Sequence, residues 1–339
     1  NNERKNGKHG ECINIRPFFG EDEMPLLPAR MAGYCAGVRR AMEMAHSAAQ
    51  RSREKQVACS SLGAPIHNRF AVAELETEGV RVVRSPEDIA SGCVILRSHG
   101  VSKAVEEACA ARGLDIVDCT CAFVRSIHDI VREKSLAGLP VVLIGDPAHP
   151  EVLGTAGRCE GECRIVSTAE QARALPELPG ALVVAQTTFS PKLWREITDA
   201  ILAKTPSADI RDTLCPATEK RQAEAREIAR AADAMIVVGD RTSANTRELY
   251  EACRELCERT CLVERAADIP PRFGNIQREI IGVTAGASTP DWLLKEVVTR
   301  MNDMEQEFSQ EVVNEPVTVA PAAEEAIAEE AAVETVAEE

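Results

Sequence analysis

A short phrase appears twice in this 339-residue chain and constrains its fold more than any other feature. Asp115-Ile-Val-Asp-Cys-Thr-Cys121 and Asp209-Ile-Arg-Asp-Thr-Leu-Cys215 both read D-I-x-D-x-x-C. After each final cysteine comes a polar, helix-like stretch and then an apolar run ending in Gly-Asp, at Val141–Asp146 and Met235–Asp240. The interval from cysteine to glycine is 24 residues in both copies. A looser copy lies upstream, where Met31-Ala-Gly-Tyr-Cys35-Ala-Gly-Val38 opens a helical pattern and Val57–Leu62 closes on Gly63. Cys35, Cys121 and Cys215 are 86 and 94 residues apart. Self-similarity at that period predicts three related units, each offering one thiol to a common point.

Within the units, strand-like and helix-like segments alternate. Met24–Ala29 reads as a first strand. Past Cys35, apolar residues at Val38, Met42, Ala45 and Ala49 have helical spacing. Val57–Leu62, Val80–Val83, Cys93–Leu96 and Leu114–Val117 read as strands. They are separated by helices at Arg69–Glu78 and Val101–Arg112, closed by Gly79 and Gly113, and by a helix start at Ser85-Pro-Glu-Asp88. Strands joined by such helices are right-handed crossovers in a parallel sheet. The expected organisation is a flexible arm over 1–23 and α/β units over 24–118, 119–212 and 213–281. Residues 282–302 are expected to return to the first unit, and an acidic disordered tail to follow over 303–339.

Charge enters the argument through that tail. Of the 54 acidic residues, 12 lie in 303–339, which has no Lys or Arg, so the body is nearly balanced against its 39 bases. With 3% aromatic residues and no basic run, the chain offers neither stacking platforms nor a phosphate-tracking surface, and no nucleic-acid partner is expected. No apolar run approaches 18 residues, so no membrane span is expected. The first 23 residues are polar and do not read as a secretory leader. Thirteen cysteines in such a chain fit a reducing, cytoplasmic setting in which thiols serve metals or catalysis.

In open α/β sheets ligands bind beyond the carboxyl ends of the strands. The loops there carry Ala64-Pro-Ile-His67-Asn68 and Arg97-Ser98-His99 in the first unit. The second unit carries Asp146-Pro-Ala-His149-Pro-Glu151 and Gln186-Thr187-Thr188. The third carries Asp240-Arg-Thr-Ser243-Ala-Asn245 and Thr284-Ala-Gly-Ala-Ser288. If the units meet about a pseudo-threefold axis, three thiols ring its centre beneath a pocket of histidines, hydroxyls, an amide and one carboxylate. Three thiolates without a fourth do not make a closed structural zinc site. They suit a [4Fe-4S] cluster with one iron open to substrate. The pocket suits a phosphate-bearing anion, with helix N-termini adding donors. Glu151, the carboxylate beside a histidine, is the natural proton donor. Any one loop histidine or Gly-Asp turn is ordinary surface chemistry; three histidines at equivalent strand ends are not.

The other cysteines read more blandly. Cys253, Cys257 and Cys261 fall at i, i+4, i+8, as packing residues on one helix face. Cys159 and Cys163 bracket a Glu-Gly-Glu loop that offers a weak zinc alternative. Cys119 sits two residues from Cys121, and the repeat register favours Cys121. Neither G-x4-G-K-[ST] nor G-x-G-x-x-G is present.

Taken together, these residues resemble the 4-hydroxy-3-methylbut-2-enyl diphosphate reductase (LytB/IspH) family. The matching phrases are Gly33-Tyr-Cys-Ala-Gly-Val38, Ile66-His-Asn-Arg69, Ser98-His-Gly-Val-Ser102, Asp118-Cys-Thr-Cys121, His149-Pro-Glu-Val152, Gln186-Thr-Thr188, Cys215-Pro-Ala-Thr218 and Gly282-Val-Thr-Ala-Gly-Ala-Ser288, in family order over about residues 24–300. The resemblance implies a trefoil of three similar small parallel-sheet α/β domains around a central [4Fe-4S] cluster held by Cys35, Cys121 and Cys215. It implies reductive removal of the allylic hydroxyl of 4-hydroxy-3-methylbut-2-enyl diphosphate, the last step of the non-mevalonate isoprenoid pathway, giving isopentenyl and dimethylallyl diphosphate. The hydroxyl would lie near Thr187, with Glu151 and His149 supplying protons. The diphosphate would sit among His67, His99, Ser243, Asn245 and Ser288, and a ferredoxin or flavodoxin would supply electrons. A zinc-stabilised or non-catalytic phosphate-binding protein is the alternative, with Cys119 as the nearby fourth zinc ligand. Two departures stand out. Ala122 replaces the usual Pro after the second cysteine, and Ser243-Ala-Asn245 has one hydroxyl fewer than the family's Ser-Ser-Asn, worth about 0.5–1.5 kcal/mol if that hydroxyl meets the diphosphate.

Overall fold

The computed structural model describes residues 26–271, 273 and 279–314, with side chains as far as Met304. The arm over 1–23 and the tail beyond Asn314 therefore lie outside the described residues.

Among the described residues, twelve strands form three parallel sheets of four. The first holds β2 (Cys59–Leu62), β3 (Val80–Val83), β4 (Cys93–Leu96) and β5 (Asp115–Asp118) in the order β3-β2-β4-β5. The second holds β6 (Val141–Ile144), β7 (Cys163–Val166), β8 (Leu182–Ala185) and β9 (Asp209–Ile210) in the order β7-β6-β8-β9. The third holds β10 (Ala234–Val238), β11 (Thr260–Val263), β12 (Ile281–Ala285) and β1 (Leu26–Pro28) in the order β11-β10-β12-β1. Each sheet has the same internal order, second-first-third-fourth. The fourth strand of the third sheet comes from the start of the chain, with Leu26 beside Ile281 and Pro28 beside Val283.

That pairing changes the unit boundaries expected from sequence. Leu26–Pro28 does not open the first sheet, and 282–302 do not return to it. β12 instead lies between β10 and β1 inside the third sheet. Nonlocal pairing of this kind leaves no local trace, because a three-residue apolar strand fits any sheet edge. With it, every fourth strand leads into a cysteine and then a helix: α1 (Ala36–Glu54), α4 (Ala122–Leu136) and α8 (Pro216–Ala231).

The remaining helices are α2 (Arg69–Thr77), α3 (Lys103–Ala111), α5 (Pro150–Ala156), α6 (Ala169–Ala174), α7 (Pro191–Lys204), α9 (Ala244–Arg254) and α10 (Asp291–Asn314). They cover both faces of the sheets, so the central strands β2, β4, β6, β8, β10 and β12 are buried along their whole length. Each sheet carries two apolar layers. In the second, Val142, Ile144, Val183 and Ala185 face α6 and α7, while Val141, Leu143, Leu182 and Val184 face α4 and α5. This is the period-two alternation of a strand that feeds two cores. α10 continues to Asn314, so residues 303–314 extend a helix rather than beginning the tail, and Met304 packs with Met301 and Val297. No described helix is long and apolar enough to cross a membrane.

Candidate active site

Cys35, Cys121 and Cys215 are the N-cap residues of α1, α4 and α8. Each backbone N–H donates to the loop that follows the third strand of a sheet: Cys35 to Ala287 O (3.2 Å), Cys121 to Ser98 O (2.9 Å) and Cys215 to Thr187 O (2.8 Å). The repeated phrase has its explanation here. Asp118 accepts the Thr120 N–H at 2.9 Å and Asp212 accepts the Leu214 N–H at 3.1 Å. The second Asp of each copy thus closes an Asx turn that delivers the cysteine to the cap.

The thiols lie where helix N-termini can hold them as thiolates. Val38 N–H donates to Cys35 Sγ at 3.5 Å. Burial pushes the Cys121 thiol up, while the N–H groups of Phe123 and Val124 pull it back; Cys35 and Cys215 lie close enough to repel its charge. A methyl group placed on Gly37 would stand 2.7 Å from Cys121 Sγ and 4.0 Å from Cys35 Sγ, so the missing side chain leaves room between two sulfurs. Among the described residues, the three cysteines do not form a group tight enough for a single ion. Thiolates spread around a shared space suit a multi-iron cluster. Cys119 offers no fourth ligand. It is fully buried in the core of the first unit with Cys59 and Cys93, and burial, then Asp118, pushes its thiol up to about 12.

The structure also brings His67, His99 and His149 together. Their ring centroids are 4.3, 5.2 and 5.6 Å apart, and one nitrogen from each lies within 4.8 Å of the others. His67 precedes Asn68, the cap of α2, whose side chain accepts from Phe70 and Ala71. His149 caps α5, its Nδ1 accepting the Glu151 N–H at 3.2 Å. His67 Nε2 and His99 Nδ1 are buried without partners. Burial holds all three imidazoles below their ordinary range, His149 at about 4 and His99 well below 6.5, and neighbouring rings add to the effect at His99 and His149. The trio is therefore neutral at pH 7, with open nitrogens facing one another.

Glu151 lies at the start of α5 with only 3% of its surface exposed. One carboxylate oxygen accepts the Thr187 N–H at 2.6 Å and the other the Thr187 hydroxyl at 2.8 Å. Burial raises its pKa to about 7 against these two bonds, the position a general acid needs at neutral pH.

The third unit contributes differently. Ser243 caps α9, its Oγ accepting from Thr246 N at 3.3 Å. Asn245 is tied at both ends, donating to Thr218 Oγ1 at 3.3 Å and accepting the Ala287 N–H at 2.9 Å. Ser288 is half-buried in the turn past β12, and its hydroxyl has no hydrogen bond among the described residues.

The sequence profile of the LytB protein family matches residues 26–302. The chain belongs to the LytB family. A relative from Caldanaerobacter subterraneus subsp. tengcongensis, "4-hydroxy-3-methylbut-2-enyl diphosphate reductase", is 38% identical over 292 residues, 85% of this chain and all of the relative. One of the same name from Geobacter sulfurreducens is 41% identical over 283 residues, 83% of this chain and 98% of the relative. Among solved structures, an (E)-4-hydroxy-3-methyl-but-2-enyl diphosphate reductase described as the terminal enzyme of the non-mevalonate pathway superposes with a TM-score of 0.63. It is 34% identical, covering 83% of this chain and all of that one. The Plasmodium falciparum E-1-hydroxy-2-methyl-but-2-enyl-4-diphosphate reductase superposes with a TM-score of 0.75 at 26% identity, over 81% and 87% of the two chains.

In this LytB chain four residues near the site were not among the sequence candidates. Arg97, in the same loop as His99, acts electrostatically on all three histidines and donates to Gly100 O at 3.2 Å. Arg247 on α9 acts on His67 and His149. Thr218 holds Asn245, and Arg221 is buried one helical turn beyond it. Arg97 and Thr218 stood within matched or adjoining phrases and could have been chosen; a helical arginine such as Arg221 gives no such signal. The helical reading of Cys253, Cys257 and Cys261 is corrected. α9 ends at Arg254, Cys257 lies in the turn and Cys261 on β11, where β-branched neighbours pair with β10. Cys163 lies on β7 beside Cys159, and burial pushes its thiol up to about 12. Among the described residues the two are not part of a metal-sized group.

Proposed function

We propose that this protein removes the allylic hydroxyl of 4-hydroxy-3-methylbut-2-enyl diphosphate as water, giving isopentenyl and dimethylallyl diphosphate, with Cys35, Cys121 and Cys215 holding a [4Fe-4S] cluster. The reaction takes two electrons and two protons, breaks the C–O bond and releases one water. When bound, the cluster supplies the electrons and an open iron for the substrate oxygen. A ferredoxin or flavodoxin, carrying one electron at a time, suits such a site.

One residue carries the reading. The Thr187 carbonyl receives the Cys215 N–H, while the Thr187 N–H and hydroxyl both bind Glu151. Thr187 therefore joins the cysteine ring to a carboxylic acid with a pKa of about 7. A hydroxyl leaving from above the cysteines meets the proton it needs. Thr187 also fixes the direction from which that proton arrives, and His149 caps the same helix by accepting the Glu151 backbone N–H. The neutral His trio, with Ser243 and Ser288, would take the diphosphate, and its negative charge would draw protons onto imidazoles now held neutral. The burial of Cys119 weakens the zinc-stabilised alternative.

Anaerobic protein should contain about four iron and four acid-labile sulfide per chain, and added substrate should change its visible spectrum. Glu151→Gln should keep the iron and lose turnover by roughly 10²-fold or more, the usual worth of a positioned acid. Zinc without sulfide would overturn the cluster, and unchanged turnover in the variant would overturn the proton donor.

A further inference from the structure

Arg221 is a charge without a visible reason. It sits on α8, six residues past Cys215, with 2% of its surface exposed. Its Nη1 donates to the Ala285 carbonyl at 2.7 Å, at the end of β12, and its Nε is buried without a partner. Among the described residues no carboxylate lies within ion-pair distance of it. Glu224, one turn along α8, lies within electrostatic reach without forming an ion pair, and its two oxygens accept the N–H groups of Arg30 and Met31, at 2.9 Å each. Two cluster-ligand candidates lie within the same reach, Cys35 acting on it more strongly than Glu224 does and Cys215 less so. Burial works against its charge, yet a guanidinium cannot shed its proton in a protein. A buried, unpaired cation is expensive unless a matching negative charge occupies the space beside it.

We infer that Arg221 is the resident counter-charge of the thiolate-bound cluster, stabilising its more negative, reduced form and so setting its potential. This rests on the cluster reading given above. Net charge and nearby hydrogen bonds are among the levers by which proteins move iron–sulfur potentials. The effect differs from that of the helix N-termini at the three caps, because this charge acts on two of the three ligands, Cys35 and Cys215. Arg221 touches no reacting atom, so it is a positioning residue.

The test is an EPR-monitored redox titration of anaerobic holoenzyme, comparing wild type with R221Q and R221K. R221Q keeps hydrogen-bond donors and loses the charge; R221K keeps the charge and loses the planar fork. At the wild-type midpoint, the reduced-to-oxidised ratio should fall about tenfold in R221Q, a shift of about 59 mV for one electron, and stay within about twofold in R221K. A folded R221Q that takes up no iron while R221K loads normally also supports the inference, since the charge would then be needed to gather the thiolates. Equal potentials in wild type and R221Q overturn it. A large fall in R221K overturns it too, even if R221Q fails to fold, because charge would not then be the cause. Wild-type protein lacking iron and sulfide would instead overturn the cluster reading itself.

Discussion

At the cysteine caps the three units share one frame: a fourth strand, a cysteine N-cap, and an N–H given to the loop past the third strand, at Ala287, Ser98 and Thr187. At the rims above, the same elements diverge. The first unit offers His67 and His99, the second His149, Glu151 and Thr187, and the third Ser243, Asn245 and Ser288. Identical backbone frames carrying different side chains separate two tasks. A ring of like ligands suits a compact inorganic group with near-equivalent corners. A rim with an acid on one side and hydroxyls on another can tell the two ends of a substrate apart, and in the function proposed above the second unit delivers the proton.

If the caps are equivalent, Cys35→Ser, Cys121→Ser and Cys215→Ser should each remove most of the iron and all turnover, with little difference among the three. Retention of full iron by any one of them, measured anaerobically as iron and sulfide per chain, would show that the ring is not threefold. A smaller effect probes where the symmetry already fails. Gly37 stands two residues past Cys35, where Phe123 and Ala217 occupy the matching places past Cys121 and Cys215. A methyl at 2.7 Å from Cys121 Sγ forces a sulfur or a helix start to move. Gly37→Ala should therefore lose part of its iron while Ala217→Gly loses none, and full loading of Gly37→Ala would sink the argument.

The rims should separate by pH. If Glu151 is the proton donor proposed above, it works protonated, so kcat should fall as pH rises through about 7, approaching tenfold per unit, and Glu151→Gln should lack that limb. The histidines behave oppositely to a group needed neutral. They are held below their ordinary range when the pocket is empty, and an anion raises them, so binding takes up protons and tightens as pH falls. Inhibition by inorganic pyrophosphate should strengthen from pH 8 to pH 6. A flat profile there would remove the histidines from diphosphate binding.

How far the sequence could be read follows the same division. The second and third cysteines announced themselves because Asp118 and Asp212 make the turns that precede them. Cys35 follows a strand ending at Pro28 with no such Asp, which is why its copy reads loosely. The parallel units were legible from strand–helix alternation. The exchange of β1 into the third sheet was not, since its pairing with β12 spans the whole chain. His67, His99, His149 and Glu151 were legible as polar residues at strand ends. Arg221 was not, because a basic residue in a polar helix normally faces water, and only packing shows this one turned inward.

The smallest effect expected is at Ser288, and it sharpens the comparison within the third unit. Ser243 spends its oxygen on the cap of α9 and Asn245 spends both ends of its amide on Thr218 and Ala287, so replacing either disturbs the frame as well as the rim. Ser288 is tied to nothing among the described residues. Ser288→Ala should leave the melting temperature and kcat unchanged and raise KM by roughly three- to tenfold, the loss of one neutral hydrogen bond worth about 0.5–1.5 kcal/mol. Asn245→Ala should lower the melting temperature as well, because the Ala287 N–H and the Thr218 hydroxyl both lose their partner. If Ser288→Ala lowers kcat with KM unchanged, the hydroxyl acts on the reacting end of the substrate and the division between the rims is drawn in the wrong place.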